Sequence, residues 1–215
     1  MAAEKGTPEV KPPTPEEYQL NISSQVLIFV IIFIAILAGA MLILSSKMFR
    51  TYLSLTRLGV YKSNDIKLRN IDDIDKSMLD YRLRDFYIAS AYRPYVCYFH
   101  KYDYVSVEIF KQIISAGPRM VELEVFNSGY GDKVEPVVSI GDEKGEWKYT
   151  LNSVNLREFF NAIGRVAFNN RSCKVFKEPF ILYLNLKTNR NVKCLNKIHK
   201  YLFAELGQFL LGPSY

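Results

Sequence analysis

Two carboxylates stand two residues apart in "RMVELEVF", residues 119–126. The stretch alternates as a strand does. Val121, Leu123 and Val125 share one face, and Met120, Glu122, Glu124 and Phe126 share the other. A buried carboxylate without a partner is unfavourable, so Glu122 and Glu124 must be reached by water or paired with something. An exposed strand face bonded to Lys or Arg satisfies this, and so does a metal or acid–base site. Few other groups could join them. The two histidines are His100 in "CYFHKYDY", expected in a loop, and His199 in "NKIHKYL", expected on a helix. Ser90 has no histidine at motif spacing, so a serine nucleophile has no support. Cys97, Cys173 and Cys194 form no CxxC and, with two histidines, give no zinc spacing. Reduced thiols facing a cytosol-like compartment are expected.

The elements around the carboxylates read as an α/β domain. "FYIAS" over 86–90 is a strand, and "YVSVEIFKQIISA" over 104–116 has helical spacing and stops at Gly117-Pro118. After "RMVELEV", the Gly-rich turn at Gly129 and Gly131 leads to a strand in "VEPVVSI". "NLREFFNAIGRVAF" carries Leu156, Phe159, Phe160, Ile163 and Val166 on one stripe, "PFILYLNL" is a strand, and "NVKCLNKIHKYLFAEL" is a helix closed by Gly207. Strands separated by helices imply a parallel β/α order. In a parallel barrel the site collects at the C-terminal ends of the strands, which is where Glu122 and Glu124 fall.

Upstream, the 215-residue chain changes character. Val26 to Leu44 is uncharged and apolar, and at ~1.5 Å per residue it spans roughly 28 Å, the thickness of a bilayer core. A signal peptide would have a basic start and a shorter apolar run. The preceding tail is instead acidic and Pro-rich, and it is expected to be disordered over residues 1–25. Lys47, Arg50, Arg57 and Lys62 follow the apolar run, and the basic flank ordinarily stays cytoplasmic. A single-pass protein is expected, with its N-terminus lumenal or exterior and its domain cytosolic. Residues 45–85 read as a basic juxtamembrane connector, helical at first, and 86–215 as the folded domain. The net charge is +6, with the Lys and Arg scattered and no nucleic-acid motif. Abundant Asn, Lys, Ile and Tyr point to an AT-rich genome.

The order of these pieces resembles the X half of phosphoinositide-specific phospholipase C, a family of distorted (β/α)8 TIM barrels. The family's I-x-S-S-H-N-x-Y is similar to Ile88-Ala-Ser-Ala-Tyr-Arg-Pro-Tyr95. Its G-x-R-x-V-E-L-D-x-W-D-G is similar to Gly117-Pro-Arg-Met-Val-Glu-Leu-Glu-Val-Phe-Asn-Ser-Gly129. Glu135-Pro-Val-Val-Ser-Ile-Gly141 stands for E-P-x-V-x-H-G, Ala167-Phe168 for the A-F that ends a helix, and Pro179 to Asn185 for P-V-I-L-S-L-E. The resemblance implies about the first half of such a barrel, preceded by one transmembrane helix. A full barrel takes roughly 250 residues. Either the chain is shortened or another chain completes the barrel.

The resemblance also implies what is missing. The family's two acid–base histidines fall on Tyr92 and Ile140. Its calcium ligands fall on Arg93, Glu122, Glu124 and Asn185, of which only the two glutamates remain acidic. A phenol with a pKa of about 10 is a poor base, and Ile carries no proton to move. Arg93 would reach Glu122 or Glu124 and take the metal's place with its planar fork. No catalytic residue and no cofactor are expected, calcium included. The chain reads as a membrane-anchored, non-enzymatic docking protein. It would be a minor capsid–membrane linking component of a large DNA virus, with the bilayer, membrane or capsid proteins and anionic lipid head groups as partners. The other functions considered are an active phosphatidylinositol phosphodiesterase and an anionic-lipid-binding module.

Overall fold

The computed structural model describes residues 15–59, 77, 80–96, 101–142, 144 and 149–212. The chain divides into two compact units, Met1–Met48 and Phe49–Tyr215. Helix α1 runs Pro15–Gly59. It opens on a proline, whose missing N–H would be unpaired at a helix start in any case. Glu16 and Glu17 follow, and acidic residues suit the positive end of a helix. The disorder expected over 1–25 is therefore corrected from Pro15 onward, while residues 1–14 lie outside the described residues. Ser24–Leu42 is long and apolar enough to cross a membrane, and none of it is buried. It nearly coincides with the expected span. An apolar helix of this kind near an N-terminus is either a membrane span or a signal sequence.

The last turns of α1 belong to the second unit. Ser54 is buried there, and Arg50 Nη1 donates to the Tyr102 carbonyl at 2.8 Å. The connector read over 45–85 is thus helical to Gly59 and carries a 3-10 turn at Leu83–Asp85, with 60–76 outside the described residues.

The sheet is built on its second strand. β1 (Ser90–Ala91) pairs parallel with the start of β2 (Met120–Ser128), and β5 (Ile181–Lys187) pairs parallel along it. β3 (Glu135–Val138) is antiparallel to the end of β2, and β4 (Val154–Asn155) is antiparallel to β3. The all-parallel order expected from sequence is corrected here, and the cause is local. Gly129 at φ +81° and Gly131 at φ +61° turn the chain directly back. A Cβ at Gly129 would lie 2.4 Å from the Lys133 carbonyl oxygen, so this turn requires glycine. The first strand is also shorter than "FYIAS" suggested.

Helix α2 (Val107–Ser115) starts later than its apolar spacing implied. Ser106 caps it, accepting from the Ile109 N–H, and Asn152 fixes the preceding backbone by bonding both the N–H and the carbonyl of Val105 at 2.7 and 3.0 Å. Helices α3 (Leu156–Val166) and α4 (Val192–Leu206) complete the fold. Val121, Leu123 and Val125 are buried in one core with Phe110, Phe159 and Ile163. Phe110 and Tyr95 meet Phe159 edge-on, with centroids at 5.0 and 5.9 Å. Burying that face of β2 leaves Glu122 and Glu124 on the other.

Candidate functional site

The loop after β1 brings Arg93 to Glu124. Arg93 has a φ of +48°, the left-handed region that a non-glycine residue rarely adopts. From there its Nε donates to Glu124 Oε1 at 3.0 Å, and Nη2 donates to the same oxygen. The Glu124 side chain is 2% exposed and that of Arg93 16%. Lys187 Nζ lies 3.6 Å from the same carboxylate oxygen. Glu124 Oε2 is buried and has no hydrogen-bond partner among the described residues. Burial pulls the Arg93 pKa down, but the hydrogen bond and charge of Glu124 outweigh it and leave the guanidinium above its ordinary value.

Glu122 is half-buried and forms a second pair. Asn185 Nδ2 donates to its Oε1 at 3.3 Å across β2 and β5, where Glu124 is in register with Asn185. The four positions that the resemblance assigned to a metal thus come together as an Arg–Glu pair and an Asn–Glu pair. Neither histidine-equivalent position brings an imidazole to them. Tyr92 is 59% exposed and its ring lies under the Arg93 guanidinium at 4.8 Å. Ile140 is fully buried in the core. Beside it Tyr95 donates to the Ser139 carbonyl at 3.0 Å, and burial together with the Glu124 charge raises the pKa of its phenol far above the usual range.

Of the remaining candidates, His199 is exposed on α4, with its ring 4.5 Å from that of Phe203. Ser90 is exposed on β1. Cys173 and Cys194 are buried free thiols. His100 and Cys97 lie outside the described residues. Lys187 went unread in the sequence. The signal was available, because a strand places Asn185 and Lys187 on one face beside Glu122 and Glu124.

These residues do not fit a calcium ion. Calcium takes about six to eight oxygens. One Glu124 oxygen already accepts from a guanidinium and faces an ammonium, so a divalent cation would meet two fixed positive charges.

The family model for the phosphatidylinositol-specific phospholipase C X domain matches residues 79–214. The chain belongs to that family, and its second unit is a mixed α/β, partial phospholipase C-like domain. Similar solved structures include crystal structures of PLC21 from L. pealei, 22% identical, and of PLC21 from S. officinalis, 21% identical, each with a TM-score of 0.47. Each match covers 60% of this chain, which spans only 15% and 14% of the two relatives. No curated protein matches the chain.

Proposed function

We propose that the chain is a membrane-anchored, non-enzymatic docking protein built on a degenerate phospholipase C X domain. The observation that carries this is the Arg93–Glu124 pair. A guanidinium sits on the carboxylate that the family's calcium site would need, and Lys187 faces it from β5. Tyr92 and Ile140, at the histidine positions, offer no imidazole to shuttle a proton, and a calcium ion would meet the charges of both Arg93 and Lys187. General acid and base groups each supply about 10²–10⁴-fold, so losing both removes most of the rate. α1 serves as the anchor, with the domain on the basic, cytosolic side. The edge of β5 supports a docking role. Among the described residues β5 pairs only with β2, and it exposes Tyr183 and Leu186 at 51% and 46%. An edge of this kind is ordinarily covered. An AT-rich composition and a membrane helix joined to a degenerate barrel fit a minor capsid–membrane linking protein of a large DNA virus.

Calorimetric titration of the full chain with calcium tests the site. No saturable heat is expected at micromolar calcium, and micromolar binding would refute the reading. Cross-linking in the native membrane tests the docking role. Cross-links from β5 to another membrane or shell protein are expected, and a chain that stays solitary contradicts it.

A further inference from the structure

Charge is unevenly placed along the chain. Residues 165–200 hold nine of the 28 Lys and Arg and only one of the 22 acids, Glu178. This block is +8 in a chain whose total is +6, so the rest of the molecule is net acidic. The scattered distribution read from the whole sequence does not describe it. The block folds as the α3–β5 connection, β5 and most of α4. Glu124 and Glu135 engage Lys187 and Lys197. Arg165, Arg171, Lys174, Arg190, Lys193 and Lys200 are exposed.

The outer surface of α4 is basic and apolar together. Cys194, Ile198 and Leu206 point into the core. Lys193 and Lys200, seven positions apart, stand two turns from each other on one line. The adjacent line carries Val192, His199 and Phe203, with Val192 66% and Phe203 56% exposed. Beyond the helix, Phe209 stacks on Phe168 with centroids at 4.2 Å. That contact brings the C-terminal end of α4 to the connection bearing Arg171 and Lys174.

We infer that this surface binds the face of a bilayer rich in anionic lipid. A phosphate polymer is bound mainly through charge. Anionic head groups over an acyl boundary reward both features, with ammonium and guanidinium groups on the lipid phosphates and apolar side chains below them. The exposed Val192 and Phe203 among the bases favour lipid over nucleic acid. This surface is distinct from the Arg93–Glu124 site, and the inference shares only the membrane anchor with the proposed function.

Hydrogen–deuterium exchange on the full chain tests it, in nanodiscs of phosphatidylcholine alone or mixed with phosphatidylserine. Incorporation into the discs is scored first, so that failure of the anchor and failure of the surface are distinguishable. A chain that does not insert is read instead by co-sedimentation with vesicles of the same two compositions. Amides of α4 and of residues 171–177 should exchange several-fold more slowly with phosphatidylserine, and the gain should disappear at high salt. Each basic residue near an anionic surface favours contact by roughly five-fold. The triple variant Arg171→Glu, Lys174→Glu, Lys200→Glu should therefore abolish the gain while the amides of β2 keep their protection. Equal exchange in both lipids overturns the inference. So does protection that appears only when an RNA oligonucleotide is added to phosphatidylcholine discs.

Discussion

Arg93 sits in a backbone conformation that costs a non-glycine residue about 1 kcal/mol, and the compensation is its bond to Glu124. Removing one partner of a buried pair strands the other charge, at roughly 3–5 kcal/mol. Lys187 remains within reach of Glu124, so Arg93→Ala is expected at the low end, about 3 kcal/mol less stable by urea unfolding. Arg93→Lys should lose less, and an unchanged midpoint for Arg93→Ala would mean that the pair contributes nothing to the fold. Two other carboxylates carry a pH dependence. Burial raises the Glu135 pKa, but hydrogen bonds from Lys197 and Tyr201 outweigh it, and the group ends below its ordinary value. Hydrogen bonds from Asn161 and Arg157 lower Glu205 in the same way. A depressed carboxylate stabilises the fold above its unfolded pKa and loses that contribution as pH falls through the folded one. Melting temperature should thus fall below the ordinary glutamate value of about pH 4.3. Glu135→Gln should flatten that limb, and an unaltered acid limb would show that its bonds to Lys197 and Tyr201 add no net stability.

At the level of elements, Arg119 holds the α3–β5 connection against the start of β2. It is 4% exposed, and its guanidinium donates to the carbonyls of Ala167 at 3.0 Å, of Pro179 at 3.3 Å and of Glu178. Its Cζ also lies 5.2 Å from the Phe180 ring centroid. Arg119→Met should strand these carbonyls and cost about 2–4 kcal/mol. Exchange of the β5 amides should rise with it, and unchanged β5 protection would contradict this role. Gly129→Ala forces a Cβ onto the Lys133 carbonyl in the left-handed region and should cost about 2–3 kcal/mol. Wild-type stability in that variant would contradict the turn geometry. Most elements were legible in the sequence because period carries them. β2 alternates, and α3 puts Phe159, Phe160 and Ile163 on one stripe. The antiparallel sense of β3 departs from the crossovers that alternating strands and helices imply. The short Gly129–Gly131 turn, a hairpin signal, reverses the chain there instead. The start of α1 departs from the disorder that Pro-rich composition implies, because Pro15 followed by two glutamates suits a helix N-terminus. In the site, the shared face of Glu122 and Glu124 follows from alternation, whereas the approach of Arg93 to Glu124 was legible only through the family resemblance. Lys187 was missed because that alternation was not carried past Asn185.

For the whole molecule, the apolar helix makes a direct prediction. A membrane span stays in the mature chain, whereas a signal sequence is removed. Intact mass of the membrane-extracted protein should include Met1–Met48, and the chain should resist alkaline extraction. A mature chain that begins after Leu42 would contradict anchoring. The central claim is that a phospholipase C X domain has kept its scaffold and lost its chemistry, with an internal cation where the family's metal would bind. It is tested most directly by assaying the purified full chain, in mixed micelles of phosphatidylinositol with calcium, for release of water-soluble inositol phosphate. Release no faster than buffer, and unchanged by Glu122→Gln, is predicted. Calcium-dependent turnover that disappears in Glu122→Gln would contradict the claim.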